Sequence, residues 1–115
     1  MSDDTPFPHT IFMLVRTTPA WLALPPKERF AFLDAEIRPI LRAHPAVRLR
    51  FLDAEAFNAR VTDVLMWETE DLAAYGAVVE SLRETAFWGR YFEVTEILPT
   101  IENAYARHYG VAPVA

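Results

Sequence analysis

Four short apolar runs, Thr10–Val15, Val47–Leu52, Val61–Trp67 and Phe92–Leu98, carry most of the β-forming residues of this chain. One stretch of helical spacing separates the first run from the second, and another separates the third from the fourth. That order, β-α-β-β-α-β, constrains the fold more than any other feature. The strands read as apolar on both faces, whereas two helices can cover only one. A second layer is therefore required, and another copy of the chain supplies it most economically.

Right-handed crossovers turn this order into an α+β, ferredoxin-like architecture: a four-stranded antiparallel sheet with two helices on one face. Two such sheets packed face to face make a dimeric α+β barrel. With 115 residues, 52% hydrophobic and 23% charged, the chain reads as one globular domain over 9–115 behind an acidic, frayed leader at 1–8. The helical stretches have separate start signals. Pro25-Pro26 opens the first, Pro39 is expected to kink it near Arg38, and His44-Pro45 ends it. Thr69-Glu70-Asp71 starts the second as a hydroxyl cap followed by acids, and Leu72, Tyr75, Val79 and Leu82 form its stripe. Pro99 closes the fourth strand, and a short helix or turn is expected to end at Gly110.

Several function classes are disfavoured. A net charge of −5 and a pI near 5.1 lack the clustered cations that phosphate neutralisation needs, so no nucleic-acid partner is expected. No apolar run approaches the roughly 20 residues that span a bilayer, and the N-terminus resembles no secretory leader, so a cytoplasmic protein without a membrane partner is expected. There is no cysteine, and His9, His44 and His108 have no ligand spacing, so neither metal nor cofactor is expected. Ser2 and Ser81 form no nucleophile elbow, and Gly76, Gly89 and Gly110 form no phosphate loop.

The chemistry expected of the chain lies on the open sheet face. If Asp53 and Arg60 close the hairpin, Arg50 lies opposite Asp63 and Arg48 opposite Leu65. Assigning the purely aliphatic strand faces to the helices leaves Arg48, Arg50, Asp63, Leu65, Trp67, Tyr91, Glu93 and Thr95 on the open one. An Arg50–Asp63 pair there is either a ligand-orienting ion pair or a cross-strand register contact. Trp67 and Tyr91, with Trp88, line an aromatic cavity or simply pack. Glu93, a carboxylate on a covered face, is the candidate general base. The candidate ligand-binding set is thus Arg48, Arg50, Asp63, Trp67, Tyr91 and Thr95.

Four stretches together resemble the darcynin family: Thr10-Ile-Phe-Met-Leu-Val-Arg-Thr-Thr-Pro-Ala-Trp-Leu-Ala-Leu24, Leu49-Arg-Phe-Leu-Asp-Ala-Glu-Ala-Phe57, Arg83-Glu-Thr-Ala-Phe-Trp-Gly-Arg-Tyr-Phe-Glu-Val94 and Ile97-Leu-Pro-Thr-Ile-Glu-Asn-Ala-Tyr-Ala-Arg-His-Tyr-Gly110. The resemblance covers nearly everything after the leader. It implies a family of uncharacterised proteins and brings no catalytic residues with it. The element order is also similar to the dimeric α+β barrel group, which includes cofactor-independent monooxygenases and haem-dependent enzymes. Two functions follow as expectations. In one, a homodimer binds or converts a small apolar or aromatic compound between facing sheets, with monooxygenase-like or isomerase-like chemistry. In the other, a non-enzymatic interaction module uses Phe87-Trp88-Gly89 or Tyr105–Tyr109 to meet a partner.

Overall fold

The computed structural model describes residues 7–115, so most of the expected leader lies outside the described residues. The elements run β1 (His9–Thr17), α1 (Pro19–Leu22), α2 (Pro26–Phe32), a π-helical turn (Leu33–Ile37), α3 (Arg38–Ala43), β2 (Val47–Asp53), β3 (Asp63–Thr69), α4 (Leu72–Arg83), β4 (Phe92–Ile101) and α5 (Ala104–Tyr109). The strands form one antiparallel sheet in the order β2-β3-β1-β4. This is the expected ferredoxin-like α+β arrangement.

Local chemistry explains the boundaries. Thr18 caps α1 by accepting from the Trp21 N–H, so the connection between β1 and α2 contains one helical turn. Pro26 sits in the first turn of α2, where its missing N–H costs nothing. Pro39 cannot donate back to the preceding turn, and the wide π-helical turn before α3 absorbs the disruption. The cap of α4 is Asp71, which accepts from the Ala74 N–H, and not Thr69. Thr69 instead ends β3, where its buried hydroxyl donates to the Ala46 carbonyl and accepts from the Asp71 N–H, both at 2.9 Å. β4 runs through Pro99 to Ile101 because it is an edge strand, where a missing N–H is tolerated. At Gly89 the backbone reaches φ +91°, and its N–H donates to the Phe92 carbonyl in the turn that leads into β4. Gly110, at φ +64°, ends α5 as expected.

The hairpin register differs from the expected one. Asn58 accepts from the Arg60 and Val61 N–H groups at 2.8 and 3.0 Å, holding both residues in the loop. The strands therefore close on Asp53 and Asp63, and Arg50 pairs with Met66 instead of Asp63. A shift of three residues is odd, so it turns β3 over. Asp63, Leu65 and Trp67 face the helices, not the open side. They join Ile11, Met13 and Val15 of β1 in the core, against Val78 and Leu82 of α4, Ile37, Phe87 and Phe92. Each large side chain buried this way contributes roughly 1.5–3 kcal/mol.

Candidate functional site

The helix-facing side of the sheet is not filled everywhere. α4 packs Val78 and Leu82 into the core, while α2 and the π-helical turn stand over β2 and β3 with a cavity of about 680 Å³ beneath them. Leu33, Ile37 and Leu41 form its roof, Leu49, Leu65 and Trp67 its floor, and Phe87 and Phe92 one end. Phe30 and Phe51 also line it yet are exposed, so the cavity reaches solvent on that side. The size and apolar lining suit a small organic molecule.

Two polar features interrupt the apolar lining. The first is Trp67, fully buried, whose indole N–H has no hydrogen-bond partner. The ring of Tyr75 on α4 stands edge-on to it at 6.3 Å, and the buried Tyr75 hydroxyl is also unpartnered. Burial pushes that phenol above its usual value of 10.0. Both orphaned atoms are sealed from solvent and Tyr75 is not among the residues that line the cavity, so this pair lies in the packed core behind the cavity wall.

The second feature lies at the loop end of the hairpin. Asp53, Glu55 and Asp63 bring carboxylate oxygens within 4.8 Å of one another. Asp63 is buried, while Asp53 and Glu55 are exposed, and all three line the cavity. Burial raises the Asp63 carboxyl from 3.8 to about 6. The neighbouring charges of Glu55 and Asp53 and a proton-sharing contact with Asp53 add to the rise, while the Thr62 hydroxyl, donating at 2.8 Å, opposes it. None of the three carboxylates has a basic partner among the described residues. The nearby cations are already engaged: Arg29 donates to the Leu24 carbonyl at 3.0 Å, and Arg38 pairs with Asp34 at 2.5 Å.

The expected site residues are thus divided between the two faces. Asp63 and Trp67 belong to the cavity. Tyr91 is half-buried and packs edge-on to Phe32 at 4.9 Å and against Trp21 at 5.4 Å, outside the cavity lining and away from the open face where it was expected. Arg48, Arg50 and Glu93 do lie on the open face. Arg48 stands 3.6 Å from Glu68, its cross-strand neighbour. Glu93 is exposed and opposite Arg16, so the burial that made it a candidate base is absent. Thr95 is the extra residue of a β-bulge, and its hydroxyl donates to the Leu14 carbonyl at 3.1 Å. Asp53 and Glu55 were not expected in a site. Their signal was present, since a run of acids at a strand end is visible in the sequence, but its meaning depends on the register.

A haem, such as some enzymes of the dimeric α+β barrel group use, does not fit this cavity. Its lining contains no His, Cys, Tyr or Met to serve as an axial ligand. His44 is occupied at the end of α3, its Nδ1 2.9 Å from the Ile40 carbonyl, and His108 stacks edge-on against Tyr109.

Comparison with known proteins agrees with this fold. Residues 3–115 match the model of the darcynin family, described as a domain of unknown function. The chain is 58% identical over 102 residues to a darcynin homolog from Granulibacter bethesdensis, covering 88% of this chain and 82% of the relative. It is 50% identical over 115 residues to a darcynin homolog from Streptomyces avermitilis, covering 99% and 95%. Among solved structures it is similar to a mutant chlorite dismutase from Candidatus Nitrospira defluvii, with a TM-score of 0.72 at 12% identity, over 90% of this chain. The match takes up 43% of that chain, so this protein spans less than half the length of the structure it resembles. At such identity the likeness concerns the fold alone.

Proposed function

The chain belongs to the darcynin family, and we propose that it binds a small, largely apolar or aromatic molecule between the helices and the sheet of each protomer. The observation that carries this reading is the 680 Å³ cavity itself, walled mainly by apolar side chains and open to solvent past Phe30 and Phe51. A core that served only stability would close such a space, because interiors pack as densely as organic crystals. The reading keeps the small-molecule function expected from the sequence and moves its cavity from between two sheets to beneath the helices. Calorimetric titration with indole, a neutral aromatic, tests it. Saturable binding is expected, and Leu49→Trp or Leu33→Trp, each filling the cavity from a different wall, is expected to abolish it while circular dichroism stays unchanged. Failure of indole to bind the wild-type protein overturns the reading.

We infer further that the open sheet face is covered by a second copy of the chain. Phe12, Leu14, Val64 and Met66 lie at its centre, half-buried by their neighbours alone, with the exposed Leu52 and Leu98 beside them. The polar residues stand on opposite edge strands. Arg48 lies near the start of β2 and Arg50 at its middle, while Glu93 and Glu96 lie in the first half of β4. Glu68 answers Arg48 and Arg16 stands opposite Glu93, which leaves Arg50 and Glu96 as the charges without a cross-strand partner of opposite sign. A two-fold axis lying in the interface, oblique to the strands, sets Arg50 over the partner's Glu96 twice and buries the apolar centre. Such self-complementarity is what a two-fold interface requires.

A further inference from the structure

The cavity runs out to solvent between two phenylalanines, one on each wall. We propose that its ligand is a linked, two-part aromatic molecule, with an inner ring system beneath the helices and an outer ring held at the mouth between Phe30 and Phe51. This rests on the reading of the cavity as a small-molecule site. Exposure rises from the inside outwards. On the floor Leu65 is buried, Leu49 half-buried and Phe51 46% exposed; on the roof Ile37 is buried, Leu33 half-buried and Phe30 63% exposed. Leu22, at 59%, joins them on the rim. One exposed apolar side chain is ordinary. Three around a single opening, continuous with an apolar interior, form a patch of the kind that meets a ligand or a partner.

The side chains of the rim favour a flat ring over a saturated chain. The inner aromatic residues of the lining already have ring partners: Trp21 packs against Phe92 at 5.0 Å, Phe87 stacks on Phe92 at 4.6 Å, and Trp67 meets Tyr75 at 6.3 Å. Phe30 and Phe51 have no ring partner among the described residues. They come from opposite walls, Phe30 from α2 and Phe51 from β2, and do not touch each other's rings, so a gap separates them. An aromatic ring in that gap gains a partner on each side, at the spacing of about 4.5–7 Å between centroids that such pairs favour. A saturated group there buries apolar surface but gains no ring pair. Phe51 stands two residues beyond Leu49 on the same face of β2, about 7 Å further along the floor. That step sets the outer ring beyond the inner one, which calls for two ring systems joined end to end.

Calorimetry with three neutral probes tests the proposal: indole; 5-phenylindole, which adds a flat outer ring; and 5-cyclohexylindole, which adds a saturated ring of similar length. The phenyl compound is expected to bind about tenfold tighter than indole and about fivefold tighter than the cyclohexyl compound. Phe30→Ala and Phe51→Ala are each expected to cut the advantage of 5-phenylindole over indole about fivefold. Phe30→Leu keeps apolar bulk and loses the ring, so it is expected to bring the phenyl and cyclohexyl compounds close to equal. Both phenylalanines are exposed, and circular dichroism of the variants is expected to match that of the wild type. Three results overturn the proposal: 5-phenylindole binding no tighter than indole, phenyl and cyclohexyl compounds binding equally to the wild type, or an advantage that survives both alanine substitutions. Each leaves the cavity reading intact provided that indole binds. If indole does not bind, the cavity reading falls and this proposal with it. A shift of Phe30→Ala towards monomer in sedimentation would assign the rim to a contact between chains and overturn the ligand as its cover.

Discussion

Replacing Asp63 by asparagine should make the protein more stable at neutral pH, although it removes a buried and hydrogen-bonded side chain. The carboxyl of Asp63 is raised from 3.8 to about 6, chiefly because burial penalises its ionised form. The folded protein therefore holds a proton that the unfolded chain has released between those two values. The stability supplied by that proton is complete below about pH 3.8 and is lost as the pH rises through about 6. At about 1.4 kcal/mol per pH unit the full loss is about 3 kcal/mol. Solvent reaches the site through the exposed Asp53 and Glu55, and screening reduces the figure to about 1–3 kcal/mol. The asparagine side chain carries no charge and keeps an acceptor for the Thr62 hydroxyl. Urea unfolding at pH 4, 5, 6 and 7.5 supplies the measurement, with wild type and variant at equal concentration. The two proteins should be nearly equal at pH 4, and the variant should lead increasingly up to pH 6–7 and then by a constant amount. A variant that is less stable at pH 7.5, or that has the same pH dependence as wild type, would refute the assignment of an electrostatic cost to Asp63.

Two other outcomes follow from the same structure. Sedimentation at micromolar concentration should show a dimer; Arg50→Glu should shift it towards monomer, and Arg50→Glu with Glu96→Arg should restore it. A monomeric wild-type protein, or a double variant no better than the single one, would remove the proposed interface. Thr69→Val preserves shape but leaves the Ala46 carbonyl and the Asp71 N–H without their 2.9 Å partner, so thermal or urea unfolding should show a loss of about 1–3 kcal/mol; a neutral result would mean that water reaches both groups.

The architecture was legible because it depends on segment order, and order survives small errors of register. The first strand, both helical stretches, the Pro39 disruption and the Gly110 stop all follow from local chemistry that acts within a few residues. The faces of β3 were not legible, for a specific reason. Val64-Leu-Met-Trp67 is apolar on both parities and Asp63 is the lone polar residue before it, so the alternation offers no polar row to point towards water. β2 did have such a row, Arg48 and Arg50, and its orientation was correctly assigned. β3 could then be oriented only through the hairpin, whose closure depends on Asn58 capturing two backbone N–H groups.

That dependence reaches the site as well. Asp63 and Trp67 share a face in any register, but only the observed one turns that face towards the helices and sets Asp53 directly opposite Asp63. A hairpin closed at Asp53 and Arg60 would point Trp67 at the open side, leaving Leu49 and Leu33 without an aromatic floor. The same closure would move Asp63 away from Asp53 and so dissolve the carboxylate group. The loop at 54–62 therefore governs two properties at once: which side of the sheet encloses a cavity, and whether that cavity has an acidic mouth. Asp53 and Asp63 stand opposite each other although like charges in that position weaken a strand pair. The carboxyl of Asp63, raised to about 6, relieves that repulsion by holding a proton at lower pH, and the cost returns as the pH rises.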